Sequence, residues 1–287
     1  MEILIRIDWI SCTDKKPLEN KSSYHPSLQD GIWEECSGKN GYNIGQKHAT
    51  GTRQYINYNR LDMGQHVVYS SKSLDRIKAM KNISGTDVLI HHINEGHNIA
   101  RLDLAIDFLG YGAKVENFIF AFQNGYAITK LRKASVIQSL TDNGETLYIG
   151  SMKKRKNLVR IYNKGAEQGT DNDWTRVELQ IMGKKATSTA MTIATSEDIK
   201  TTILGIIRSV IDFPTVSVWK SLTSDIQKIK MSSIPKTQGD TEKWIMTQVL
   251  PALARTIVLN ADFWVHFKLA LVDQLPLEMR KEMQETE

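Results

Sequence analysis

Two cysteines in 287 residues, Cys12 and Cys36, are too few for a disulfide framework. A reducing cytoplasm is therefore the expected setting. No apolar run approaches the roughly 20 residues of a membrane span, and the opening Met-Glu-Ile-Leu-Ile-Arg lacks the pattern of a signal peptide, so no membrane association is expected. No phosphate-cradling Gly-x-x-x-x-Gly-Lys-Ser/Thr loop is present, which leaves no indication of an ATPase. Low-complexity segments and internal repeats are not visible either. The net charge is only +5, too small to force a nucleic-acid partner by itself. Hydrophobic content of 41% and charged content of 24% are those of an ordinary globular chain, long enough for one large domain or two moderate ones.

What is present is alternation. Arg101 to Asp107 reads Arg-Leu-Asp-Leu-Ala-Ile-Asp, polar and apolar at a period of two, the pattern of a half-buried strand. Leu102, Leu104, Ile106 and Phe108 face a core, while Arg101, Asp103, Ala105 and Asp107 face the other way. The same pattern returns in Leu158 to Lys164, where Arg160, Tyr162 and Lys164 share a face, and in Trp174 to Ile181, where Arg176, Glu178 and Gln180 do. Brought into one sheet, these strands would show acids, arginines, a lysine and a tyrosine on one surface, an inventory suited to phosphodiester chemistry. Basic residues gather nearby, at Lys153, Lys154, Arg155 and Lys156 and at Lys130, Arg132 and Lys133. They would grip a DNA backbone or simply cover a solvated hairpin tip.

The order of elements predicts an α+β fold. A mostly antiparallel sheet domain with flanking helices over residues 1–182 would be followed by a helical C-terminal region over 183–287. Residues 1–10 read as a strand with Ile3, Ile5, Ile7 and Trp9 on one face and Asp8 on the other; 11–37 read as polar loop. Short hairpin strands are predicted over 42–69, and helices over 72–80, 86–97 and 114–123. A four-strand meander over 135–181 comes next, with turns at Asp142-Asn143-Gly144 and over 165–173. Beyond Gly183 a helix is predicted to start at Ser196-Glu197-Asp198. A linker with Pro235 and Gly239 then leads to helices over 241–259, broken or kinked at Pro251, and 261–274.

A tyrosine that attacks a phosphodiester needs a deprotonating neighbour and cations to offset the phosphate charge. Arg160 and Lys164 flank Tyr162 at i±2, so this tyrosine is the candidate nucleophile; an ordinary packed strand tyrosine is the alternative. Tyr148 is the second candidate. Glu178, with Asp103 or Asp107 from another strand, would make an oxygen-rich site for Mg²⁺ or Mn²⁺, or else cross-strand salt bridges. Four residues along a strand span roughly 13 Å, so Asp103 and Asp107 cannot both reach one ion without a bulge. One of them would orient Arg101 or Arg176 instead. The spacing of His91, His92 and His97 fits neither a His-Glu-x-x-His motif nor a paired-histidine strand, and carries no expectation of a metal.

Taken in order, Ala-Arg-Leu-Asp-Leu-Ala-Ile-Asp at 100–107, Leu-Tyr-Ile-Gly-Ser at 147–151, Arg-Ile-Tyr-Asn-Lys-Gly at 160–165 and Trp-Thr-Arg-Val-Glu-Leu at 174–179 resemble the replication initiation factor family. These are rolling-circle replication initiators of small plasmids and phages, with related conjugative relaxases. Asp8-Trp9-Ile10-Ser11 resembles the family's opening strand, and Glu242-Lys243-Trp244 with residues 248–254 its helical C-terminal segment. The resemblance implies a metal-dependent, strand-specific DNA nickase and ligase. Tyr162 would be the nucleophile, Asp103 or Asp107 with Glu178 the metal ligands, and Arg160, Lys164 and Arg176 the cations at the phosphate. The product would be a 5′-phosphotyrosyl link and a free 3′-hydroxyl. Single-stranded or extruded origin DNA is the implied substrate, a homodimer the implied acting form and a host helicase a further implied partner. A catalytically silent origin-binding protein of the same fold, a conjugative relaxase and a water-using metal nuclease are the alternatives.

Overall fold

The computed structural model describes residues 1–15, 23–138, 144–153, 157–170, 173–232, 242, 245–260 and 262–274. Lys154, Arg155, Lys156, the turn residues Asp142 and Asn143, the linker residues Pro235 and Gly239, and Lys243 and Trp244 lie outside them. The chain divides into two compact units, Met1–Ile234 and Pro235–Glu287.

The first unit is built on ten strands in one antiparallel sheet, in the order β2-β3-β4-β5-β1-β6-β11-β10-β9-β8. Their bounds are β1 Glu2–Asp14, β2 Trp33–Ser37, β3 Ile44–His48, β4 Arg53–Ile56, β5 Gln65–Tyr69, β6 Asn98–Leu109, β8 Ala134–Gln138, β9 Glu145–Gly150, β10 Asn157–Asn163 and β11 Trp174–Met182. A short pair, β7 Ile128–Thr129 with β12 Ile211–Asp212, stands apart. The α+β class with its antiparallel sheet is as the alternation predicts.

Helices cover one face. They are α1 Ser71–Lys81, α2 Gly85–Asn94, α3 Val115–Gln123, α5 Lys184–Ala194 and α6 Ile199–Val210, and they pack on β1, β6, β9, β10 and β11. Beneath them Leu102, Leu104, Ile106 and Phe108 are fully buried with Val159, Ile161, Val177, Leu179 and Ile181. Each such side chain contributes roughly 1.5–3 kcal/mol on leaving water. Local signals set the helix starts. Ser84 and Asp87 form a reciprocal capping box at α2, and the Asp198 side chain accepts from Thr201 N–H at α6. Short helices α4 Lys164–Glu167 and α7 Ser217–Thr223 complete the unit, so the sheet unit takes in α5 to α7 besides residues 1–182. Helix α5 has no counterpart among the sequence expectations.

Two expectations for the N-terminal segment are corrected. Residues 11–37 are not one polar loop: β1 runs on to Asp14, and Trp33–Ser37 is an edge strand. Nor does Trp9 share a face with Ile7. Ile7 lies opposite Leu104 and Trp9 opposite Asp103, with a bulge between them. One extra residue reverses the alternation, so Ile10 enters the core while Trp9 turns to the open face.

The strand order also holds a repetition that the residues do not display. Long strand β1 is followed by the meander β2 to β5, whose last strand returns to pair with β1, and then by α1 and α2. Long strand β6 is followed by the meander β8 to β11, whose last strand returns to β6, and then by α5 and α6. The halves meet at the antiparallel β1–β6 pair, with Ile5 opposite Ile106.

In the second unit, Ile245–Val249 is a π-helical segment leading into α8, Leu250–Leu259, with Pro251 in the first turn, where proline's missing N–H is tolerated. Helix α9 spans Asp262–Asp273.

Candidate active site

Antiparallel pairing carries the three predicted polar faces onto one surface, on the side of the sheet away from the helices. Tyr162 lies opposite Arg176, and Arg160 opposite Glu178. Arg176 in turn lies opposite Asp107, and Glu178 opposite Ala105. An open cavity of about 670 Å³ on this surface is lined by Tyr162, Arg160, Lys164, Arg176, Glu178 and Asp103, among others. Gly150 helps hold this register. It sits at φ +118° beside β10, and a Cβ there would lie 2.7 Å from the Asn157 carbonyl oxygen.

Two charge clusters occupy this surface. In the first, Arg176 stands between two acids. Its Nε and Nη2 donate to Asp107 Oδ1 and Oδ2 at 2.6 and 2.7 Å, and its Nη1 donates to Asp8 Oδ1 at 2.7 Å. Trp174 Nε1 donates to Asp107 Oδ1 at 2.8 Å, and Ser71 Oγ to Asp8 Oδ1 at 2.7 Å. Asp107 and Arg176 are buried to 0% and 1% exposure, so both carboxylate oxygens of Asp107 are taken up by protein donors.

In the second cluster the acids are neighbours, Arg101 pairs with one of them and Arg160 lies within ion-pair distance of both. Arg101 Nε donates to Asp103 Oδ1 at 2.9 Å, and Arg160 pairs with Glu178 while lying 3.7 Å from Asp103 Oδ2. Asp103 and Glu178 are each 1% exposed. Burial, with the Glu178 charge adding to it against the pull of Arg101, pushes the Asp103 carboxyl up to about 8. Two buried carboxylates this close repel, and a bound cation would relieve that repulsion.

Tyr162 borders the second cluster. Its Oη donates to Glu178 Oε2 at 3.2 Å, and Lys164 Nζ lies 5.7 Å from the ring centre. Burial and then the Glu178 charge raise the phenol well above its usual range, while the Arg176 charge opposes the rise. Lys164 is paired with Glu167 and nearly buried. The other candidate tyrosine, Tyr148, lies opposite Arg160 on β9 and lines a neighbouring cavity of about 230 Å³ with Tyr162 and Thr146.

Sequence reasoning placed Asp8 on a strand but not in the site. Arg6, Trp9, Ser71, Lys72 and Arg101 also line the cavity, and the Arg101 guanidinium stacks 4.4 Å from the Trp9 ring centre. The signal for Arg101 was its i, i+2 spacing from Asp103. Asp8 lies on the face that alternation gives it, but nothing in its spacing links it to Arg176; Trp9 is turned to the open face by the bulge, against strict alternation.

Comparison with known proteins agrees with this architecture. A family model described as replication initiation factor matches residues 97–263, which include all of the predicted site residues. The fold is similar to the structure of a rolling circle replication initiator protein from Geobacillus stearothermophilus. The TM-score is 0.64 at 20% sequence identity, over 82% of this chain and 100% of that one. No curated protein matches.

Proposed function

The chain belongs to the replication initiation factor family, and from that premise we propose that it nicks and rejoins one strand of origin DNA in rolling-circle replication, with Tyr162 as the nucleophile. The observation that carries this reading is the phenol of Tyr162 lying 3.2 Å from the Glu178 carboxylate, in a cavity bordered by Arg160 and Lys164. The substrate is single-stranded or extruded origin DNA, whose scissile phosphate would enter that cavity.

The raised phenol pKa means that Tyr162 does not ionise unaided, so deprotonation has to accompany attack. Glu178 takes the phenol proton as Oη forms its bond to phosphorus and the bond to the 3′ oxygen breaks, and the departing 3′ oxygen takes a proton from water. The products are a 5′-phosphotyrosyl link and a 3′-hydroxyl, and attack by that hydroxyl reverses the step without ATP because the link retains the phosphodiester energy. Arg160 is placed to offset charge on the phosphate, with Lys164 beside the phenol. Arg176, held by Asp107 and Asp8, is a positioning residue whose charge favours the phenolate.

The donor set suits a hard divalent cation. Asp103 and Glu178 offer buried carboxylate oxygens that repel each other when both are ionised, and an oxygen-only set favours Mg²⁺ or Mn²⁺. Bound there, the ion would polarise the phosphate's non-bridging oxygens. Asp107 holds Arg176 through both oxygens and Asp103 holds Arg101 through both of its own; Asp103 is assigned as the ligand because it is the acid beside Glu178, and Arg101 would give way to the ion.

The test is incubation of the chain with single-stranded DNA carrying its own origin and Mn²⁺, followed by denaturing electrophoresis and mass spectrometry of the phosphotyrosyl peptide. The expected result is an adduct on Tyr162 that Tyr162→Phe abolishes while DNA binding persists. Cleavage that survives in Tyr162→Phe would identify water as the nucleophile, and an adduct surviving in that variant would move the assignment to another tyrosine.

A further inference from the structure

On the helix-covered face, beside the second register shift of β1 at Ser11 and Cys12, a thiol and two imidazoles converge. The potential ligand atoms of Cys12, His92 and His97 all lie within 4.8 Å of one another, and all three residues are buried. Cys12 comes from β1, His92 from α2, and His97 from the residue before β6. The histidine rings are oriented in a telling way. His92 Nε2 lies 3.0 Å from Tyr69 Oη, and His97 Nε2 lies 3.5 Å from Asp14 Oδ2. Each ring therefore meets an oxygen partner through its outer nitrogen, and the two Nδ1 atoms are left facing each other at 2.9 Å. Metal-bound histidines are held in this manner, the second nitrogen fixed by a carboxylate or hydroxyl while the first points at the ion.

We propose that Cys12, His92 and His97 bind one zinc ion through Sγ and the two Nδ1 atoms, at a site separate from the acidic cavity. Thiolate and imidazole select zinc over Mg²⁺ or Mn²⁺. With Zn–S near 2.3 Å and Zn–N near 2.0–2.1 Å, tetrahedral ligand atoms stand roughly 3.3–3.6 Å apart. The three ligand atoms lie within 4.8 Å of one another and the two Nδ1 atoms 2.9 Å apart, so an ion between them would draw the thiol in and part the rings. On binding, the Cys12 proton leaves to solvent and the thiolate takes its place in the coordination shell. The Asp14 carboxylate beside His97 balances part of the added charge. The ion would fasten the end of β1, the end of α2 and the start of β6, and so brace the two long strands that carry the acids on the other face.

The experiment uses the full chain, purified without an affinity tag under a non-chelating reductant. Elemental analysis is expected to find about one zinc per chain. Replacement by Co²⁺ is expected to produce the thiolate-to-cobalt charge-transfer band and the visible bands of a four-coordinate site. The Asp103→Asn/Glu178→Gln variant should keep zinc and spectrum unchanged, whereas Cys12→Ala and His97→Gln should lose both, and chelation should lower the melting temperature of the unmodified chain. Absence of zinc together with absence of a thiolate–cobalt band in the unmodified protein overturns the proposal. So does zinc retained at full stoichiometry in both Cys12→Ala and His97→Gln.

Discussion

The two halves of the sheet share a topology and differ in what they present on the open face. At one level of the second half, Tyr162 on β10 lies opposite Arg176 on β11, which lies opposite Asp107 on β6. At the corresponding level of the first half, Tyr55 on β4 lies opposite His66 on β5, which lies opposite Thr13 on β1. There the surface is closed: Thr13 Oγ1 lies 2.8 Å from His66 Nδ1, Tyr42 stacks over the His66 ring at 5.8 Å, and Tyr55 is buried. Burial lowers the His66 pKa. The second half places buried charges around a cavity instead. Each half carries a tyrosine on the strand that pairs with its returning strand, but only Tyr162 has acids and arginines around it.

Within the second half, the two charge clusters differ in pairing. Arg176 is shared by Asp8 and Asp107, whereas Asp103 and Glu178 lie side by side, and burial first, with the Glu178 charge adding to it, raises the Asp103 pKa.

The contrast can be broken most severely at Glu178. Glu178→Gln is expected to slow DNA cleavage about 10²–10⁴-fold, the usual effect of losing a general base. Its folded state should change little, because the substitution also removes the repulsion on Asp103; single-turnover cleavage and urea unfolding of the same sample check both halves of the statement. A large loss of stability with cleavage intact would place Glu178 in the supporting class. Asp107→Asn should do the reverse. It leaves the buried Arg176 one acid short and is expected to cost about 3–5 kcal/mol in unfolding free energy, measured by denaturant titration. The smallest effect is expected from Tyr55→Phe, which removes the first half's counterpart of the nucleophile hydroxyl: adduct formation should match that of the unmodified chain. Loss of the adduct there would mean that both halves take part.

Much of the site was legible because a strand has a period of two. Arg160, Tyr162 and Lys164 fall on one face by spacing alone, as do Arg176 and Glu178, and four-residue separation already ruled out Asp103 and Asp107 as joint ligands of one ion. Which of those two aspartates pairs with Arg176 was not legible. It depends on Arg176 reaching Asp107 across β11 and β6, residues 69 positions apart. Asp8 escaped because its partner, Arg176, is 168 positions away, and Trp9 escaped because a bulge, which leaves no signature in composition, turns it to the open face. The Cys12, His92 and His97 group escaped because its members are brought together from positions 12, 92 and 97 by the pairing of β1 with β6 and the packing of α2 on β1. The repetition of the two halves is one of strand order, with Tyr55-His66-Thr13 standing where Tyr162-Arg176-Asp107 stands, and so no residue pattern reported it.

By itself the amino-acid order determined the local facts: which segments alternate, which caps start helices, and that the polar faces of three strands carry acids, arginines and a tyrosine. These follow from backbone periodicity, which acts over a few residues. Tertiary structure alone decided which strands became neighbours and in what register. It thereby decided which acid meets an arginine, which meets another acid, and which phenol lies beside a base, because burial and distance between remote residues set those charges.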